Sequence, residues 1–514
     1  MLSDVNHSVA LAALASLGVP IAALWFLFRL LFPKPDPLAP YPLLNGRRPG
    51  ELSLKHAKQR FVVNGNQLII DGFKLYPDGF RIQSDDGIAL ILPPRYAESV
   101  GAEGALSVKM SLEMWLKPHI PGMEPYRFMN FQGHLLFRAL RSKLSRALVS
   151  LFDPLAAEAD VAIKTYCPND SEWQPVVLKK VCSHLIAQCQ SRAFVGQDMC
   201  RHPEWLHIMV NYSSDTFMTM MEMRLWPKKL LPLVHWFLPG CQKIRAHVRK
   251  GGQLLAEEMN SRQGKADDRR THAGKVEAGP EPYNDLIEWM DELAEGHPYD
   301  RVTAHLALPF LAVHNASMIL NETILLICQS PQLMDDLRRE IERVVPVHGW
   351  DKASLTHLEL MDGVFKETIR LKSGLLFGMQ RVAREDVVLK DGTFIPKGTY
   401  LNVASTHMRD NSVFPDGKEF NPYRYVKMRA EGKVHCAHLV ATTMDHLGFG
   451  MGRHSCPGRF FAVDILKIVL CKLLLQYDIK PGEEDVKTWV HGFSFNSDPS
   501  ARAYLRRRAG VPLV

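Results

Sequence analysis

The chain has 514 residues, 46% of them hydrophobic and 23% charged, a balance that builds a sizeable packed core and excludes a disordered or fibrous protein. Its net charge of +7 is spread along the chain with no long basic run interleaved with aromatics, so no nucleic acid is expected as a partner; a basic face for an acidic protein or an anionic membrane stays open. Nine cysteines, odd in number and without a CxxC pair, point to a reducing compartment and away from a disulfide framework or a zinc site.

In chain order, residues 9–28 (VALAALASLGVPIAALWFLF) come first, free of charge over about the length of a bilayer's hydrocarbon core. Arg29 and Lys34 follow and no basic region precedes, which predicts a transmembrane anchor within residues 1–32, with the rest of the chain in the cytosol, rather than a cleaved signal peptide. Residues 33–50 form a linker opened by PKPDPLAPYP, whose five prolines predict a stiff extended strap. Between 51 and 98, QLIIDGFKLY, DGFRIQS and GIALILPPR read as short strands separated by Asp-Gly turns. Helical periodicity takes over from about 129 to 260, and 261–282 reads as a mobile polar loop. One long apolar helix is expected over 300–329, with further helices at 331–345, 359–374 and 460–477 and strands at 380–403. The expectation for 51–514 is one large domain, mostly α with smaller β-sheets.

The stretch LGFGMGRHSCPGR (447–459) sets Cys456 in a glycine-rich loop at the mouth of the 460–477 helix. A helix N-terminus lowers a thiol's pKa, and a lone thiolate suits an iron held mainly by a macrocycle. Against this stands the ordinary alternative, a structural cysteine in a turn. The spacing is more specific than the residues: FGMGRHSCPG resembles the haem-binding loop of the cytochrome P450 family, FxxGxRxCxG, through Phe449, Gly452, Cys456 and Gly458, with Ala462 at the small position of the following helix. His454 stands where the family has arginine, and Arg453 lies one residue earlier, within reach of a haem propionate by the same resemblance. The HxCPGR form is similar to fungal members related to terpenoid oxidases.

Two more motifs carry the resemblance. KETIR places Glu367 and Arg370 on one helix face as the family's ExxR, and FNPYRY supplies Arg424, completing what the resemblance implies to be a buried Glu–Arg–Arg network. LAVHNAS (311–317) matches the family's proton-delivering segment, with Ala312 at the small position, His314 in place of the acid, Asn315 in place of the threonine and Ser317 one position late. An amide cannot pass a proton as a hydroxyl does, whereas a histidine near its ordinary pKa can, so His314, Asn315 and Ser317 are the catalytic candidates. No tryptophan marks the early helix, and Arg138, Arg141 and Lys143 stay open as propionate contacts or as a solvated basic face. Met110, Met114, Trp115, Phe310, Phe377, Met379, Phe493 and Phe495 are candidate substrate contacts, with core packing as the even alternative.

The resemblance implies a haem-thiolate monooxygenase with Cys456 as metal ligand. It would insert one atom of O2 into a lipophilic scaffold, terpenoid or polyketide-derived, in secondary metabolism. Electrons would come from NADPH through a separate cytochrome P450 reductase, and the anchor would sit in the endoplasmic reticulum membrane. The departure at Asn315 keeps a second class open, a haem-dependent isomerase or dehydratase that needs no O2 activation.

Overall fold

The computed structural model describes residues 36–128, 135–224, 226–272, 283–482, 489–496 and 498–509. The anchor expected at 9–28 lies outside them. The first half carries β1 (Leu43–Leu44), α1 (Lys55–Leu75), β2 (Phe80–Gln83), β3 (Ile88–Leu92), α2 (Ala97–Ala102), β4 (Leu106–Ser107), α3 (Val108–Leu116), α4 (Ser145–Tyr166), β5 (Gln174–Val177), α5 (Leu178–Met199), α6 (Pro203–Arg224) and α7 (Pro239–His272). Then come α8 (His314–Ile327), α9 (Pro331–His348), α10 (Glu359–Lys372), β6 (Phe377–Ala383), β7 (Val387–Val388), β8 (Phe394–Ile395) and β9 (Tyr400–Ala404). After a run of loops and short helices follow α11 (Arg459–Gln476), β10 (Tyr477–Pro481), β11 (Trp489–His491), β12 (Ser494–Asn496) and β13 (Arg502–Arg507).

The mostly helical reading with small sheets holds. The largest sheet has the order β1-β2-β3-β9-β6-β4, and β10-β13-β5 form a second. The helices share one apolar core, from Leu148 and Phe152 on α4 through Leu320 and Ile324 on α8 to Ile465 and Val469 on α11. Inside it α10 is tied on two sides. Thr323 on α8 donates to Thr368 on α10 at 3.1 Å, and Lys467 on α11 pairs with Asp362 on α10 at 2.5 Å. Partners buried this deeply hold position because separating them would strand polar groups without water.

Three expectations need correction. QLIIDGFKLY is not a strand: Lys55–Leu75 is helical throughout apart from a kink at Asn64. The Asp-Gly turn signal misleads because Gly72 serves close packing. A Cβ there would lie 2.3 Å from the Phe80 ring, so only glycine lets α1 sit on β2. The strap at 33–42 is, over its described part, a turn rather than an extended rod. Asp36 receives the Leu38 amide at 3.0 Å, and the chain then adds β1 beside β2. The polar stretch from 261 to 272 continues α7, because Arg262 is 9% exposed and its guanidinium is held by Asp285 and Glu258; residues 273–282 lie outside the described ones. The helix expected over 300–329 is present as one run, Arg301–Ile327, with a π-bulge inside it at Pro309–Val313, where the His314 amide reaches back to the Pro309 carbonyl. Proline lacks the donor that a regular turn requires, and such bulges recur at functional sites.

Two glycines test this reading in opposite directions. Gly72→Ala lowers the thermal midpoint despite alanine's better helix propensity, since overpacking costs about 1–3 kcal/mol. Gly264→Ala, in α7 with nothing within 4 Å of the new Cβ, raises it by the equivalent of about 0.5–1 kcal/mol. Differential scanning calorimetry of both variants checks the sign of each.

Candidate active site

The loop before α11 is built by three backbone hydrogen bonds. The Cys456 amide donates to the Phe449 carbonyl at 2.9 Å, Gly450 to Leu447 at 2.9 Å and Ser455 to Gly452 at 3.0 Å. Gly450 and Gly452 take φ of +70° and +74°, which L side chains rarely adopt. Gly452 is doubly restricted, because a Cβ there would lie 2.9 Å from the carbonyl oxygen of Gly101 on α2. Arg459 then fastens the loop's end, donating to the carbonyls of Cys456 at 3.0 Å and Val440 at 3.2 Å. The Ala462 amide closes the first turn of α11 on Gly458 at 2.9 Å.

The electrostatics differ from the sequence expectation. Burial pushes the Cys456 thiol up from its ordinary value; the backbone amides of Gly458 and Arg459 and the Arg459 guanidinium pull it back without prevailing. The helix mouth thus favours the thiolate, as expected, but desolvation wins.

Behind the loop, Glu367 and Arg370 are fully buried and joined by two parallel bonds of 2.7 Å each. Arg424 donates to Glu367 at 3.0 Å, and so does the Asn421 amide at 3.0 Å. Arg370 also donates to the carbonyls of Met408, Gly417 and Glu419. The Glu367 carboxylate and the Arg370 guanidinium thereby bind α10 to five residues of the segment between β9 and the cysteine loop. The geometry is bidentate, the strongest form of such a pair.

A second cationic group was not anticipated. Arg381 on β6 is 4% exposed, its Nη1 donates to the Gln380 carbonyl at 2.8 Å, and its Nε is buried without a hydrogen-bond partner. Burial and then the Arg453 guanidinium push its pKa down to about 10. Arg141 donates to the Arg453 carbonyl at 3.0 Å, whereas Lys143 is held by Glu292 and Arg138 is exposed. Arg453 and His454 themselves are exposed and meet each other at 3.2 Å. Arg381 was legible in principle, as a charged residue on the inward parity of a strand that alternates Phe377, Met379, Arg381.

On the distal helix, residues with open surface recur at Leu311, Ala312, His314, Asn315, Met318 and Ile319, one helical face. His314 and Asn315 are the polar members of that face. Ser317 is not on it: its hydroxyl is buried and donates to the His314 carbonyl at 3.0 Å. His314 is part-buried, and desolvation and then the Lys179 ammonium push its pKa from 6.5 down to about 4. The expectation that this histidine titrates near neutral pH is therefore corrected.

A cavity of about 550 Å3 is lined by residues of α1, the β2–β3 hairpin, α3, α6 and β6, and by none of the distal helix or the cysteine loop. Of the expected substrate contacts, Met114, Trp115 and Phe493 line it. Phe377 and Met379 are core residues, Phe310 packs on Trp115 at 6.0 Å, and Met110 is not at the wall. The side chain of Phe495 is outside the described set. β6 is shared: Gln380 lines the cavity, while a Cβ at Gly378 would strike Leu447 of the cysteine loop at 2.3 Å.

The family model of cytochrome P450 matches residues 124–501. The chain is 34% identical to the cytochrome P450 monooxygenase ptmU of Penicillium ochrochloron over 96% of each chain. It is 34% identical to the cytochrome P450 monooxygenase pyr3 of Aspergillus fumigatus over 99% of this chain and 97% of the relative, and 36% identical to hepE of Aspergillus oryzae over 93% and 87%. The chain belongs to the cytochrome P450 family. It is an oxidoreductase, a monooxygenase whose cofactor is haem bound through a cysteine thiolate. The residues present fit that cofactor. Arg381 with its unpartnered Nε beside Arg453 suits an anionic carboxylate, and Cys456 offers a thiol whose sulfur is drawn toward the thiolate by the Gly458 and Arg459 amides.

Arg370→Ala leaves the buried Glu367 carboxylate short of its main partner, which costs about 3–5 kcal/mol; thermal unfolding of the purified protein should show the loss, and an unchanged midpoint would contradict the network's role. The His314 shift predicts acid sensitivity. Its folded pKa lies below the unfolded one, so as pH falls from 6.5 the unfolded chain takes the proton first, and stability declines until about pH 4. The contribution amounts to about 3 kcal/mol at most. His314→Gln should flatten that part of a pH–stability profile, and a profile as steep as the parent's would refute the assignment.

Proposed function

We propose that this cytochrome P450 inserts one atom of O2 into a lipophilic scaffold, terpenoid or polyketide-derived, in secondary metabolism, with residues 51–514 acting as one haem domain. The observation that carries the reading is the Cys456 loop, fixed by its own backbone and backed by the buried Glu367 network. Cys456 would hold the haem iron through its thiolate. Phe449, Gly452, Arg453, His454, Gly458 and Ala462 would shape its cradle, Arg381 and Arg453 would receive the propionates, and Arg370 and Arg424 hold Glu367. The haem, when bound, supplies the oxygen chemistry. The chain's own residues orient the substrate and manage protons beside it.

Asn315 faces the reacting side and can donate a hydrogen bond there through its amide. His314, with its pKa pushed down to about 4, stays neutral near pH 7, so it offers one ring N–H as a hydrogen-bond donor and is a weak base at the other nitrogen. Ser317, bonded to the helix backbone, steadies the turn rather than passing protons. Proton supply at Asn315 then falls to ordered water or a substrate hydroxyl.

The apolar side chains on the cavity wall, Leu90, Trp115, Phe217, Leu375 and Phe493, support a lipophilic substrate. Membrane association is part of the proposal. Trp226, Leu230, Leu233, Trp236 and Phe237 are all exposed within one short segment, the composition of an interfacial anchor. Among the described residues one helical run, Arg301–Ile327, is long and apolar enough to span a bilayer, but 56% of its apolar window is buried in the protein, as a core helix requires. With the 9–28 anchor we assign the endoplasmic reticulum membrane, a single pass and a cytosolic catalytic domain, supplied with electrons by a separate NADPH-dependent reductase.

Asn315 also supports the second reading, a haem-dependent isomerase or dehydratase. Mass spectrometry of the source organism with and without the gene, under 18O2, separates the two. A precursor lighter than the lost product by one oxygen, with the label in that product, is expected. A precursor of the same composition as the product would overturn the monooxygenase reading in favour of isomerisation, and one heavier by a water would do so in favour of dehydration.

A further inference from the structure

The wall of the cavity divides by chemistry. Leu90, Trp115, Phe217, Leu375 and Phe493 are apolar, while Asp85, Asp86, Arg224, Lys397 and His491 are charged or polar. Arg224 is the last residue of α6, and Asp85 stands in the turn between β2 and β3. The Arg224 Nη1 donates to the Asp85 carboxylate, joining two cavity-lining elements 139 residues apart in sequence. Both side chains are 16% exposed, so the pair is sheltered enough to resist screening and still reaches solvent. The carboxylate satisfies only part of the guanidinium, whose Nε is buried without a partner. Two residues beyond Arg224 the exposed apolar segment begins at Trp226. A lipophilic molecule passing between α6 and the hairpin offers nothing to replace this ion pair, and it must wait until the pair separates.

We propose that the ion pair of Arg224 with Asp85 is a specificity-determining closure of the cavity, holding back bulky apolar molecules while small ones pass. This rests on the haem-monooxygenase reading. The pair acts on entry alone, since neither residue belongs to the cysteine loop, the distal face or the Glu367 network.

The test uses the full haem-loaded chain and two azoles that report their arrival by shifting the haem absorption band: clotrimazole as the bulky probe and imidazole as the small one. Stopped-flow association rates are compared for the parent, Arg224→Ala, Asp85→Ala and the reversed pair Arg224→Asp with Asp85→Arg. Each single variant should admit clotrimazole about fivefold faster, the equivalent of an ion pair worth about 1 kcal/mol, with imidazole changed less than about twofold. The reversed pair should restore the parent ratio. Equal acceleration of both probes, no acceleration of either, or a reversed pair that behaves like the single variants would overturn the closure. The ferrous carbon monoxide spectrum keeps the two readings apart. A parent without the red-shifted band of a haem thiolate sinks the haem assignment and the closure together, whereas a normal band with an unchanged rate ratio sinks the closure alone.

Discussion

Everything in this molecule turns on holding one sulfur still. The Cys456 amide is fixed on the Phe449 carbonyl at 2.9 Å, and the turns on either side of it are closed by Gly450 and Ser455. A loop of this kind has little intrinsic stability, because so much of it is glycine and so little of it is core. Its position is therefore borrowed from outside. The backbone of Gly101 presses against Gly452 from one side and Leu447 packs on β6 from another, while Arg459 binds the exit to Val440 and Cys456. Further back, Glu367 converts a wandering segment into a rigid one by gathering Arg370, Arg424 and the Asn421 amide on a single carboxylate.

The same helix, α10, faces both sides of the reaction space. Thr368 meets Thr323 of the distal helix, and Asp362 meets Lys467 of the helix that follows the cysteine. Distal and proximal walls are thus spaced by one buried element, so the distance between Asn315 and Cys456 is a property of the core rather than of loops. Electrostatics follow from that burial. Desolvation raises the thiol, lowers His314 and depresses Arg381, and each of the three is a group whose charge state a cofactor or substrate would alter.

Much of this was legible in the residues. ExxR, the FNPYR segment and the cysteine loop are local motifs whose spacing fixes their geometry, and the helix after Cys456 begins where its periodicity begins. The failures share a cause. Asp71-Gly72 reads as a turn until Phe80 is seen to occupy the space of the missing Cβ. The charged stretch after Ser261 reads as a loop until Arg262 finds Asp285. Ser317 and His314 look like catalytic groups until one is seen bonded to its own helix and the other partly desolvated. Arg224 with Asp85, and Gly101 with Gly452, are partnerships across long stretches of chain that no local pattern announces. Local chemistry is written locally, while burial is decided by what arrives from elsewhere.

The most direct measurement is the absorption spectrum of the ferrous carbon monoxide complex for the purified parent and for Cys456→His. The account predicts the red-shifted Soret band of a thiolate-bound haem in the parent, and its replacement by the shorter-wavelength band of a nitrogen-bound haem in the variant. A parent spectrum of the nitrogen-ligated kind, or a variant that keeps the thiolate band, would show that Cys456 is not the ligand and would contradict the account at its centre.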